Sequence, residues 1–358
     1  MTFLADLQAL VECESPSEDL SACHKVIELA QQIASAHLGV PATIHSEQGR
    51  PILWWGTQTP KVLVLAHLDT VWPIGSFTPT WLIEGDVLRG PGVFDMKAGF
   101  LQIIYALKDI PGAQEHVAIL ATTDEELGSQ SSREFIKSAS RNAQAVLVVE
   151  SSLAGKVKTA RKGTAMYRIT AIGRAAHAGL EPEKGINATT EIALLALKMA
   201  ELESVESGTT VTPTMMSSGT STNTVPAAAT LDIDIRSFAD SDLVRVDQAI
   251  RNLKASHPEA RLEISGGINR PPMEFKSAET LYEKLEKVAA GLGFEPIGHA
   301  AVGGASDGNF SASVGTPTLD GLGAVGGGAH ARDEHILISS IHNRITLLTA
   351  FIKELIRV

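Results

Sequence analysis

KVLVLAHLDTV (Lys61–Val71) is the stretch that decides the fold. Its first six residues, 61–66, form a short apolar run without alternation, the pattern of a strand buried on both faces. HVAILAT (116–122) and AVLVV (145–149) repeat that pattern. Between the first two runs, Lys97–Lys108 puts Phe100, Ile103, Ile104 and Leu107 on one helical face, which predicts an amphipathic helix. Strand–helix–strand alternation predicts an α/β domain built on a mixed, largely parallel sheet.

In open α/β sheets, ligands bind beyond the carboxyl ends of the strands. His67 and Asp69 directly follow the first run. Asp124, Glu125 and Glu126 follow the second, in TTDEELGS, and Glu150 follows the third, in VVES. Asp95 lies in the loop GPGVFDMKAG just before the helix, and His330 ends the glycine-rich loop GLGAVGGGAH. Each residue alone has an ordinary reading. A histidine after a strand is usually hydrogen-bonded scaffold, and paired acids favour a helix start. Together, carboxylates gathered on one sheet edge would repel and raise one another's pKa unless a cation sat among them. Two histidines with several carboxylates suit zinc, with manganese or cobalt possible. Two such ions about 3.5–4 Å apart would need a shared carboxylate.

The middle of the chain reads differently. MYRITAIG (166–173), a helix over Asn187–Ser204, strands at Thr209–Met216 and Ala229–Arg236, a helix over Asp240–His257 and the strand RLEIS (261–265) give a β-α-β-β-α-β order. That is the split βαβ pattern of a small ferredoxin-like α+β sandwich. After Pro271 and Pro272 the α/β character returns, with helices near Ala278–Gly291 and Ser339–Arg357. A small domain, 164–272, is therefore expected inside a larger one made of 1–163 and 273–358.

Bulk properties narrow the class. The chain has 358 residues with a formal charge of -11, which argues against nucleic acid as a partner. Cys13 and Cys23 form no Cys-x-x-Cys pattern, in keeping with a reducing compartment. No apolar run is long enough to span a bilayer, and the opening MTFLADLQALVECESP lacks the basic and apolar regions of a signal peptide. The expectation is a cytoplasmic enzyme with no membrane partner. Gly321-Leu-Gly-Ala-Val-Gly326 fits Gly-x-Gly-x-x-Gly but runs into further glycines, so a dinucleotide site is not expected there.

These motifs, in this order, resemble the co-catalytic two-zinc family of glutamate carboxypeptidase, acetylornithine deacetylase, succinyl-diaminopimelate desuccinylase and the aminoacylases. AHLDTV, GPGVFDMKAG and TTDEELGS carry the resemblance, which spans roughly residues 5–355. The glutamate carboxypeptidase branch is most similar, through VVES, GRAAHAGLEPEKGINA, NTVPAAATLDIDIR, GGASDGNF and GAHARDEH. The resemblance implies a zinc-exopeptidase-like catalytic domain with an inserted lid and dimerisation domain, two zinc ions per subunit and a homodimer. It implies that His67 and Glu150 bind one zinc, Glu126 and His330 the other, and Asp95 both. Asp69 would orient His67, Glu125 would be the general base, and the Asp95–Met96 peptide would be cis. His177 would stabilise an oxyanion across the dimer; by its own sequence context it caps the turn before Gly179. Substrate contacts would come from Asn223, Arg236, Arg270, Gly303, Gly304 and Ser306, with Lys158 at the position of a specificity lysine. The implied substrate is a small peptide or an N-acyl amino acid, cut at an amide. An N-acyl-amino-acid deacylase is the runner-up, and a non-catalytic metal-binding protein is a rival of another class.

Overall fold

The computed structural model describes residues 2–357. A six-stranded sheet runs in the order Thr43–Glu47, Arg50–Gly56, Val117–Thr122, Val62–His67, Ala145–Val148, Thr318–Leu319. Val62–His67 is parallel to both of its neighbours, and Thr318–Leu319 is parallel to Ala145–Val148. The first two strands are antiparallel additions. The continuous apolar runs follow from burial on both faces. Val62, Val64 and Ala66 enter one core with Ile119, Ala121 and Leu147, while Leu63 and Leu65 enter another with Leu120 and Val146. The helix Ala98–Leu107 forms where the spacing predicts it, but all ten of its residues are buried. The expected wet face does not exist, because Gln102 and Tyr105 point inward too.

The inserted region forms its own sheet, ordered Thr210–Ser218, Ala228–Ser237, Gly163–Ile172, Arg261–Arg270, with every neighbour antiparallel. Leu231, Ile233 and Ile235 point into a core shared with the helices Ala188–Met199 and Asp240–Arg251, while Asp232, Asp234 and Arg236 alternate outward. Asp240–Arg251 ends six residues short of the expected His257. The buried Glu191 carboxylate accepts the amides of Ser256 (2.6 Å) and His257 (2.9 Å), which holds that segment in a turn.

The chain packs as two units. One runs to Arg161 and resumes over Met273–Val302 and from Ser306 onward; the other is Lys162–Pro272 with Gly303–Ala305. The tripeptide 303–305 groups with the inserted unit, where Arg236 Nη1 donates to the Gly303 carbonyl at 3.4 Å. Among the described residues no helix is long and apolar enough to cross a membrane.

Candidate metal centre

Three parallel strands end at one edge of the larger sheet, and each continues into a functional side chain. Val62–His67 ends on His67, Val117–Thr122 leads into the turn Glu125–Leu127, and Ala145–Val148 leads to Glu150. The fourth, Thr318–Leu319, delivers Asp320, which was not legible because a two-residue strand has no periodicity. Glycine permits the close approach around Glu150. A Cβ at Gly99 would fall 2.0 Å from the Val149 carbonyl oxygen, and one at Gly323 would fall 2.2 Å from it. The segment 321–326 opens no helix and leads into the short strand Gly326–Gly327.

His67 Nε2 lies 3.3 Å from Asp95 Oδ1 and 3.6 Å from Glu150 Oε1. His330 Nε2 lies 3.5 Å from Asp95 Oδ2 and 3.0 Å from Glu126 Oε1. The two oxygens of Asp95 thus face different imidazoles. Ligand atoms around a tetrahedral ion bound at about 2.0–2.2 Å stand about 3.3–3.6 Å apart. Three of the four contacts have that spacing and the His330–Glu126 contact is tighter at 3.0 Å, while His67, Asp95 and Glu126 each offer a ligand atom within 4.8 Å of the others'. The donor set of imidazole and carboxylate fits a divalent cation. The Asp95–Met96 peptide is cis.

The electrostatics point the same way. Burial is the largest influence on His67 and lowers its pKa, but Asp69 and Asp95 together outweigh it and the net shift is well upward. Hydrogen bonds to Asp95 and Glu126 push His330 up to about 10. Burial, then the Asp95 charge, pushes Glu150 up to about 7 against the pull of Arg161 and Lys158. Both upward shifts on the histidines express the negative charge gathered around the imidazoles, which a cation held among these carboxylates would neutralise.

Around this nest lies a shell of buried partners. His67 Nδ1 faces the Asp69 carbonyl at 3.1 Å and the Asp69 carboxylate at 3.4 Å, so its Nε2 is aimed at Asp95 and Glu150. The Asp69 carboxylate also accepts from Ser17 Oγ (2.7 Å), the Glu126 amide (3.2 Å) and the Glu125 amide (3.4 Å), tying His67 to the acidic turn. Asp124 turns away and accepts from the amides of Ser131 and Ser132. Asp307 accepts from Thr122 and Ser129 on either side of that turn. Arg161 donates through Nε and Nη2 to Asp320 at 2.7 and 2.9 Å, and its Nη2 lies 3.4 Å from Glu150 Oε2. Glu334 accepts from Trp72 Nε1 (2.9 Å) and from the amides of Gly92 (3.0 Å), Phe94 (3.0 Å) and Asp95 (3.1 Å). Sequence reasoning missed Ser17, Arg161, Asp307, Asp320 and Glu334, since their partners lie dozens to hundreds of residues away.

The expected substrate contacts fare unevenly. Ser306 is fully buried; its Oγ donates to Asp320 at 2.6 Å and accepts from the Gly308 amide. Through that hydroxyl it props the Asp320–Arg161 pair. Lys158 is buried too, with Nζ 3.4 Å from Ser151 Oγ and 4.0 Å from Glu150. In the inserted unit, the Arg236 fork holds Asp234 at 2.9 and 3.1 Å. Arg270 is buried at the end of its strand. His177 and Asn223 sit side by side: His177 pairs with Thr224, and the Ala178 amide donates to the Asn223 carbonyl. His177 Nδ1 accepts from the amides of Gly179 and Leu180, both at 3.1 Å. That is the turn cap expected from its local context, and an acceptor at Nδ1 puts the ring proton on Nε2.

A two-unit α/β chain with histidine–carboxylate nests beyond its parallel strands carries its candidate site where open α/β sheets bind ligands. The chain belongs to peptidase family M20/M25/M40, whose profile matches residues 63–354. It is 30% identical over 315 residues to carboxypeptidase G2 of Pseudomonas sp. (strain RS-16), covering 82% of this chain and 74% of that protein. It is 23% identical over 316 residues to succinyl-diaminopimelate desuccinylase of Coxiella burnetii, covering 80% and 82%. The crystal structure of an aminopeptidase from Bacillus cereus ATCC 10987 shares the fold with a TM-score of 0.81 at 21% identity, covering 99% of this chain and 98% of that one. The chain is a hydrolase of the peptidase and amidohydrolase type.

Proposed function

We propose that this chain hydrolyses the amide bond of a small peptide or N-acyl amino acid, in the manner of a glutamate carboxypeptidase, with two zinc ions per subunit. The observation that supports this most is Asp95, whose two oxygens face two separate histidine–carboxylate nests. His67, Glu150 and Asp95 would hold one ion, and His330, Glu126 and Asp95 the other. Cobalt or manganese would suit the same donors. Bound there, the ions would polarise the scissile carbonyl and make water between them more acidic. Glu125, buried and assigned to neither ion, takes the proton from the attacking water and passes it to the departing nitrogen. Asp69 keeps His67 and the acidic turn in register.

The desuccinylase likeness supports a second reading within this chemistry, an N-acyl-amino-acid deacylase. Chelator-stripped enzyme refilled with zinc should hydrolyse members of a panel of dipeptides and N-acyl amino acids, and stripped enzyme should not. Two bound metals per chain without turnover of any member would remove the proposed substrate class. Absence of bound metal would remove the proposal itself.

We also propose a homodimer formed through the inserted unit. Thr210–Ser218 is an edge strand whose Met215 and Met216 are exposed, and the helix Ala188–Met199 exposes Leu194 and Leu197. Exposed strand edges with apolar side chains are templates for pairing. His177 of one subunit would then donate its Nε2 proton to the oxyanion formed in the other. Asn223, Arg270, Gly303 and Gly304 remain candidate substrate contacts; a carboxylate at Arg236 would compete with Asp234. Light scattering at micromolar concentration should give twice the chain mass, and a fully active monomer would contradict the role of His177.

A further inference from the structure

The strand ends that deliver the acidic residues also deliver the walls of an open cleft that the chemistry above does not use. Its volume is about 870 Å³, and its lining includes Glu126, one of the candidate ligands. Val71 follows Asp69 by two residues and Leu127 follows Glu126 by one, so the cleft begins where the metal centre ends. Leu20, Pro73 and Ile74 complete the apolar wall, with Leu20 44% and Ile74 62% exposed. Large apolar side chains gathered in one exposed concavity beside a reactive site are a recognition surface.

The charge of the cleft decides what it takes. Besides Glu126, whose charge a bound cation would offset, its described lining residues include two carboxylates, Glu18 and Asp19, and no lysine or arginine. The amine-side product of the proposed reaction is an amino acid, whose carboxylate needs a cationic or strongly donating partner. A cleft rimmed by acids repels that end. We infer that this cleft binds the acyl side of the substrate and selects an apolar acyl group, neutral or amine-bearing, against an acyl group that carries its own carboxylate. The inference rests on the amide-hydrolase reading of the adjacent site. It separates two substrate types which that reading leaves together, because a succinyl group is an anionic acyl group.

The test uses N-acetyl, N-pentanoyl and N-succinyl derivatives of one amino acid, chosen as the leaving group the full-length zinc-loaded enzyme accepts. Pentanoyl and succinyl chains have similar length and differ in charge. The pentanoyl derivative should exceed the acetyl one in kcat/KM by about tenfold or more, as added methylenes in an apolar pocket do, and the succinyl derivative should fall below both. Ile74→Glu should lower the pentanoyl-to-acetyl ratio, and Glu18→Lys should raise the succinyl-to-acetyl ratio. Succinyl equal to or better than pentanoyl overturns the inference, as do ratios that neither substitution moves. If no amide is cut, the hydrolase reading has failed separately. Calorimetric binding of the same three compounds to zinc-loaded Glu125→Gln enzyme then decides the cleft alone: tighter pentanoyl binding supports it, and equal or tighter succinyl binding overturns it.

Discussion

Glu125→Gln is expected to lower kcat by about 10²–10⁴-fold while the protein keeps its fold and its bound metal. The glutamine preserves shape and hydrogen-bonding capacity but accepts no proton. The close contacts that define the two nests come from His67, Asp95, Glu126, Glu150 and His330, and the proposal gives Glu125 no part in holding the ions. Its loss therefore separates chemistry from metal binding. Its amide hydrogen bond to Asp69 comes from the backbone and survives the substitution. The measurement pairs steady-state kinetics with metal content by elemental analysis and a thermal melt. Residual activity within tenfold of the parent would mean that another group moves the proton. Loss of metal together with activity would make Glu125 a ligand instead.

Arg161→Met is expected to cost about 3–5 kcal/mol of stability, because it removes one partner from a buried, hydrogen-bonded ion pair. Arg161 and Asp320 are both buried, and the pair is bidentate. Without the guanidinium, Asp320 keeps only the Ser306 hydroxyl and the Gly321 amide among the partners seen here, and Glu150 loses its nearest cation. Metal retention should fall as well, since Arg161 helps keep the Glu150 carboxylate ionised. Urea denaturation of the metal-free forms measures the first effect, and competition with a chelating dye measures the second. An unchanged denaturation midpoint would show that the methionine packs well enough to replace the pair.

Much of this site could be read from the chain because His67, Asp69, Glu125, Glu126 and Glu150 each follow a recognisable strand, while Asp95 and His330 stand out as an acid and a histidine in glycine-rich loops. KVLVLA, HVAILAT and AVLVV are legible as strands since two cores claim alternate residues of each. The same burial misleads in the helix at 98–107, where the apolar face is legible but the burial of Gln102 and Tyr105 is not. The helix from Asp240 reads too long because its end is fixed by Glu191, some 60 residues earlier in the chain. Arg161 and Glu334 stand in polar surroundings in the sequence that resemble any solvated segment. Only the fold brings them beside Glu150 and Asp95. The partners of Ser306 are likewise not legible: its motif says nothing of a hydroxyl that donates to Asp320 and accepts from the Gly308 amide.

Glu334 carries a consequence for how the protein comes into being. The loop that presents Asp95 is shaped by a carboxylate that lies 239 positions further along the chain, and His330 arrives in that same late segment. While the polypeptide is being made, the early strands can pair and bury their apolar faces, yet the loop that shares its carboxylate between the two nests has nothing to accept its amides. The centre that gathers Asp95 and His330 is therefore assembled from distant parts of the chain, and it takes shape once the segment around 330–334 has folded against the loop at 92–95.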